Sequence, residues 1–199
     1  MNKILFVDCE TLGFGAAPRI IALSWILTDI NGTELKKGSY LVKPDGWEID
    51  PESFAGKNGY TTAHNMQEGI WISIVLNFFC VDVKNADLIV AHNAPFDKRA
   101  IQGELSLLGF IIDPILDPIQ KPWHCTMKYG KEYCMLPGKN GIKAPKLTEL
   151  YEHLFFKPMM DAHNADTDVK ACKDCFFEMV RLRAIVLMPA ATTVNEDSI

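Results

Sequence analysis

The sequence predicts a single α/β domain, and three observations carry that expectation. Residues 4–7 (Ile-Leu-Phe-Val) and 88–91 (Leu-Ile-Val-Ala) are wholly apolar runs of strand length, the pattern of strands covered on both faces. Residues 19–29 and 34–42 read as two more strands, and Asn31-Gly32 between them is a strong hairpin signal. Beyond residue 69, several segments carry apolar residues at helical spacing.

The bulk numbers agree with one ordinary domain. At 199 residues the chain is long enough to bury a substantial core, and 48% hydrophobic with 23% charged residues is usual for a soluble globular protein. No apolar run approaches the length of a membrane span, and Met1-Asn2-Lys3 leads straight into a strand. The expectation is a cytoplasmic protein that does not engage a membrane. A net charge of −5 argues against coating nucleic acid through bulk charge, but not against a local basic patch or a metal-assisted site. Six cysteines, at 9, 80, 125, 134, 172 and 175, lie mostly in apolar contexts and read as reduced thiols. Cys172-Lys173-Asp174-Cys175 is a CxxC inside a helical pattern, with no second pair to complete a zinc site.

The elements follow in order. The first strand closes on Asp8-Cys9-Glu10-Thr11, so two acids fall among the last residues of a buried run. Residues two apart on a strand share a face, which brings Asp8 and Glu10 within several ångströms of each other. Charges that close need a cation or a shared proton between them, unless the strand simply ends in a solvated polar turn. With no Lys or Arg between Asp8 and Arg19, a divalent cation suited to oxygen ligands, Mg²⁺ or Mn²⁺, is the economical neutraliser. Residues 43–60, dense in Pro, Gly, Asp and Lys, read as a long loop, and 69–84 as a helix. The strand at 88–91 runs into His92-Asn93-Ala94-Pro95-Phe96-Asp97, with a helix over 98–108. Asp97 is therefore a second acid where a buried strand meets a helix, a position that also suits a plain first-turn residue.

Residues 121–146 differ in character from the rest. Lys121, Lys128, Lys131, Lys139, Lys143 and Lys146 stand there against one acid, Glu132, with Trp123, Tyr129 and Tyr133 interleaved. The segment reads as a basic loop of about 121–146, either solvated or contacting phosphates through residues such as Lys128 and Lys131. A helix over 147–156 and a long one over about 165–187 complete the domain, and 188–199 reads as a disordered tail. Where that last helix begins, His163 sits at its mouth and Asp168 about one turn in, so both can face one cleft.

Together the three acidic segments resemble a known family. Asp8-Cys9-Glu10-Thr11, then Asn93-Ala94-Pro95-Phe96-Asp97, then His163-Asn164-Ala165-Asp166-Thr167-Asp168 are similar to the D-x-E-T, N-x-x-F-D and H-x-A-x-x-D motifs of the DEDDh proofreading exonucleases. The order matches, and the resemblance spans roughly residues 3 to 185. Leu12 stands where the family more often has Thr or Ser, and Asn58-Gly59-Tyr60-Thr61 looks like a variant of its H-G-I-T segment.

The resemblance implies an RNase H-like fold, a mixed five-stranded sheet flanked by helices, with the exonuclease domain over 1–187. It implies that Asp8, Glu10, Asp97 and Asp168 hold two divalent cations, Mg²⁺ or Mn²⁺, about 4 Å apart, with His163 as general base. Thr11, Leu12, Gly13, Tyr60, Asn93 and Phe96 would hold the terminal nucleotide. The expected reaction is hydrolysis of a terminal phosphodiester from a DNA 3′ end, favouring single strands, with release of nucleoside 5′-monophosphates. An RNA 3′ end is the alternative substrate, and a non-catalytic nucleic-acid-binding module of the same fold is a further one. A polymerase or replication partner would suit the acidic charge.

Overall fold

The computed structural model describes residues 2–15, 18–109 and 117–187. The segment expected to form a disordered tail lies outside the described residues. Strand β1 (Lys3–Thr11) is the middle of a five-stranded sheet. Strands β2 (Ile20–Asp29) and β3 (Glu34–Leu41) add to one side of it in antiparallel sense, turning at Gly32 with φ +88°. On the other side, β4 (Leu88–Ala91) and β5 (Trp123–Cys125) pair in parallel, giving the order β3-β2-β1-β4-β5. The mixed sheet flanked by helices is thus as expected.

Alternation along β1 divides the core into two layers. Leu5, Val7 and Cys9 face one way, where Leu23, Trp25 and Leu27 meet helices α3 (Ile72–Val83) and α4 (Ala94–Leu107). Ile4 and Phe6 face the other way, with Leu88 and Val90, beneath α6 (Leu147–Phe155) and α7 (Ala165–Arg181). Each large apolar side chain buried in this way contributes about 1.5–3 kcal/mol. The two layers clamp β1 and β4, so the C-terminal ends of both strands have fixed positions.

The region between β3 and α3 is less of a loop than the sequence suggested. It holds α1 (Phe54–Lys57), whose Ser53 cap accepts the Gly56 N–H, and α2 (Thr62–Glu68), capped by Thr61. The one buried residue of α2 is Asn65, whose amide donates to the carbonyls of Ile21 and Val42. Helix α7 ends at Arg181, six residues short of the expected limit.

Residues 121–146 require a correction, because they do not form a basic loop. They contain β5, the helix α5 (Thr126–Cys134) and a two-stranded hairpin, β6 (Pro137–Gly138) with β7 (Gly141–Ile142). Thr126, Gly130 and Cys134, four residues apart, make the buried stripe of α5 against α6 and α7. Gly130 keeps that stripe close to its neighbours, since a Cβ there would lie 3.0 Å from side-chain atoms of both Leu150 and Pro145. These small residues give almost no hydrophobic signal among the lysines and tyrosines around them.

Candidate active site

Strand β1 and helix α7 bring three carboxylates together. Asp8 and Glu10 continue the row begun by Ile4 and Phe6, the row that α7 covers. Their partners across the β1–β2 ladder are Ser24 and Ala22, small residues that leave room above the sheet. On α7, the Asn164 side chain caps the helix by accepting the N–H groups of Asp166 and Thr167 at 3.0 and 3.4 Å. This fixes the first turn and directs Asp168 back toward β1. Oxygen atoms of Asp8, Glu10 and Asp168 lie within 4.8 Å of one another.

Asp97 stands behind this cluster. Asn93, in the left-handed region at φ +67°, turns the chain from β4 into α4, and Pro95 lies in the first helical turn. Asp97 is buried and accepts the Cys9 N–H at 3.0 Å through Oδ1. One strand therefore offers its side chains to the cluster and a backbone N–H to the fourth acid. His92, at the end of β4, braces the same corner. Its Nε2 lies 3.1 Å from the Pro145 carbonyl and must donate to it, leaving Nδ1 to accept the Thr126 hydroxyl at 3.0 Å. Burial pushes its pKa down to about 4, so the ring is a neutral strut between β4, α5 and the approach to α6.

His163 has its backbone and its ring anchored in different places. At φ +69° its N–H donates to Asp168 Oδ2 at 3.2 Å, while the exposed imidazole packs edge-to-face on Phe54 with centroids 4.9 Å apart. Nothing in the sequence pointed to Phe54 as its neighbour.

A cleft of about 320 Å³ opens over the cluster, lined by Asp8, Glu10 and Asp168 on its floor and by Thr11, Leu12, Gly13, Phe14, Phe54 and Phe96 above. Thr11 Oγ1 donates to the Gly13 carbonyl at 2.7 Å and holds the turn that follows β1. The structure does not bring every expected residue to this cleft. Tyr60 lines a neighbouring groove of about 670 Å³ between β2, β3 and the start of α7. Asn93 is exposed in its turn, and Lys128 and Lys131 are exposed on α5.

The electrostatics of the cluster are those of an unneutralised acid site. Burial, with the charges of Asp97, Asp168 and Glu10, holds the Asp8 carboxyl well above its ordinary range. Glu10 is pushed up to about 7 by burial and by Asp168, and Asp168 to about 6 by burial against the opposing His163 N–H. Burial also raises Asp97, opposed by the Cys9 N–H. Among the described residues, no Lys or Arg forms an ion pair with any of the four. Asp168 Oδ1 is buried with no hydrogen-bond partner, a lone pair turned into the cluster. Clustered carboxylate oxygens, an orphan acceptor and the missing counter-charge are what a hard divalent cation requires.

The sheet order and the cleft can now be set beside known structures. E. coli exonuclease I in complex with a dT13 oligonucleotide superposes with a TM-score of 0.74 at 17% identity, over 92% of this chain and 42% of its own. The fold is RNase H-like. An exonuclease I from Methylocaldum szegediense superposes on this RNase H-like chain with a TM-score of 0.75 at 17% identity, over 92% and 41% of the two chains. A product-bound exonuclease I does so at 0.74 and 16%, over 92% and 45%. The RNase H-like chain thus spans about two fifths of the length of these neighbours. No protein-family model matches the sequence, and no curated protein does.

Proposed function

We propose that this chain is a DEDDh-type 3′–5′ exonuclease that hydrolyses the terminal phosphodiester of a DNA strand and releases nucleoside 5′-monophosphates. The observation that carries this reading is the Asp8, Glu10 and Asp168 cluster, with Asp97 behind it, at the cleft of an RNase H-like sheet.

In this reading Asp8, Glu10 and Asp168, with Asp97, hold two divalent cations, Mg²⁺ or Mn²⁺. When bound, the cations neutralise the phosphate and lower the pKa of the attacking water. The chain's own residues do the rest. Asp97 keeps β1 and α4 in register through the Cys9 N–H, so that the acids stay aligned. The turn over Thr11, Leu12 and Gly13 walls the cleft where the terminal nucleoside would lie. His163, held through its backbone by Asp168 and with its ring on Phe54 of the cleft wall, would take the proton of the attacking water as general base. Lys128 and Lys131 on α5 meet the strand beyond the cleft. One exonuclease I structure is a complex with SSB, and a replication or polymerase partner would supply this acidic chain with strand-holding surface it lacks. The free thiols of all six cysteines suit a cytoplasmic setting.

The experiment is degradation of 5′-labelled strands in the presence of Mg²⁺ or Mn²⁺, on single-stranded DNA, duplex DNA and RNA in parallel. The expected result is stepwise shortening from the 3′ end, fastest on single-stranded DNA and abolished by a chelator. Preferential shortening of RNA would move the substrate to the alternative class. Binding without shortening of any strand would make the chain a binding module.

A further inference from the structure

Helix α4 turns a second carboxylate toward the sheet, two turns beyond Asp97. Glu104 follows Asp97 at a spacing that puts both on one face of the helix, and both are buried. Each accepts a backbone N–H from a different strand. Asp97 takes that of Cys9 in β1, and Glu104, through Oε1, takes that of Ile20 in β2 at 2.9 Å. The same Oε1 accepts the Arg19 Nε at 2.9 Å, while the Arg19 Nη2 donates to both carboxylate oxygens of Asp45 at 2.8 and 2.9 Å. One guanidinium therefore joins the start of β2, helix α4 and the segment between β3 and α1.

Packing does not account for this carboxylate. Glu104 is 1% exposed, on the buried side of α4 with Ala100, Ile101 and Leu105, and among the described residues its Oε2 has no hydrogen-bond partner. A buried ion pair is often no more stabilising than apolar residues of similar volume. What this pair holds is a break in the ladder. Glu10 faces Ala22 but Thr11 faces Ile20, so the register shifts directly after the second acid. Beyond the shift, the Leu12 N–H donates to the Arg19 carbonyl at 3.0 Å and Thr11 Oγ1 donates to the Gly13 carbonyl. Arg19 thus closes the base of the turn with its backbone and pins it to α4 with its side chain. Asp8 and Glu10 lie before the shift, paired in the ladder with Ser24 and Ala22.

We propose that Arg19 and Glu104 are positioning residues, a clamp that sets the Leu12–Gly13 turn over the cleft independently of the acids; the inference rests on the nuclease reading for what the turn meets. The turn walls the place of the terminal nucleoside, not that of the cations. Loosening the clamp therefore raises KM and leaves kcat and Mn²⁺ affinity as they are. Asp45, 40% exposed, backs Arg19 from the solvent side and contributes least.

The test combines steady-state hydrolysis of a dT oligonucleotide in Mg²⁺, a Mn²⁺ titration, and amide hydrogen exchange read at Leu12 and Ile20. Arg19→Ala and Glu104→Ala should each raise KM about 10- to 100-fold, with kcat within about twofold of the wild type. Both should bind Mn²⁺ like the wild type and quicken exchange at the two amides. Glu104→Gln keeps the Oε1 acceptor and should restore KM, whereas Arg19→Lys keeps the charge without the fork and should not. If Glu104→Ala does not fold, Arg19→Ala carries the test, since Arg19 is partly exposed. A KM unchanged in Arg19→Ala, even with a lower melting temperature, makes the pair merely structural and overturns the clamp. Unchanged exchange at Leu12 and Ile20, or weakened Mn²⁺ binding, also overturns it. Quickened exchange in Arg19→Ala, with no hydrolysis by the wild type, would support the clamp and count against the nuclease.

Discussion

The two halves of β1 lie under the same helix, on the same face of the same sheet, and bury opposite chemistries. In the first half, Phe6 packs edge-to-face on Phe176 of α7, with centroids 5.4 Å apart, beside fully buried Ile4. In the second half, Asp8 and Glu10 meet Asp168 of α7, and among the described residues no Lys or Arg pairs with them. The apolar half contributes stability that the acidic half offsets. An even-numbered row of side chains that is uniformly apolar would make a better core, and the switch to carboxylates after Val7 marks where the strand stops serving the fold. The acids stand at the one end of the row where packing on both sides of the strand keeps them from moving apart.

The comparison breaks most sharply at Asp8. Asp8→Ala should reduce 3′-end hydrolysis by on the order of 10³-fold or more and abolish Mn²⁺ binding, while the metal-free chain melts no lower than the wild type. A fall in its melting temperature would show that Asp8 stabilises the fold. His163→Ala should lower kcat about 10²- to 10³-fold and leave Mn²⁺ affinity unchanged, read from single-turnover kinetics and a metal titration.

In the other half, Phe6→Ala should cost about 3–5 kcal/mol by denaturant unfolding, with the activity of the folded fraction unaltered. The difference also has a pH signature. Glu10 and Asp168 are raised to about 7 and about 6 from ordinary values of 4.5 and 3.8. A raised folded-state value stabilises through the protonated form, fully below about pH 4 and progressively less as pH rises through 6 and 7. The metal-free chain should therefore melt lower at pH 7.5 than at pH 5, by about 2–4 °C for each kcal/mol of stability removed, and saturating Mn²⁺ should reverse the change. A metal-free melting temperature that does not fall over this range would remove the electrostatic half of the account. The smallest effect belongs to the far surface. Lys128→Ser with Lys131→Ser should flatten the salt dependence of long-strand binding by about 1.4 in slope, at about 0.7 for each phosphate that a lysine neutralises on a single strand.

Much of this was legible in the sequence, for a reason visible in the same strand. Ile4 to Val7 and Leu88 to Ala91 are continuous apolar runs because both faces of β1 and β4 are covered, and the acids at their ends stand out against them. The segments that were not legible lack that contrast. Helix α2 is held by the amide of Asn65, whose partners Ile21 and Val42 are remote in sequence. Strand β5 has three half-buried residues, one of them a histidine, and α5 buries only Thr126, Gly130 and Cys134. The site divides in the same way. Asp8 and Glu10 share a face by strand geometry alone, whereas the tie from Asp97 to the Cys9 N–H spans 88 residues and the seat of His163 on Phe54 joins the approach to α7 to the start of α1. Local periodicity cannot show contacts that only the folded chain creates.

The central claim is that Asp8, Glu10 and Asp168 form a divalent-cation site, and a calorimetric Mn²⁺ titration at pH 7.5 tests it most directly. The account predicts saturable binding to the wild-type chain that disappears in Asp8→Ala and in Asp168→Ala while both variants remain folded. Equal Mn²⁺ binding by all three proteins, or none by the wild type, would contradict it.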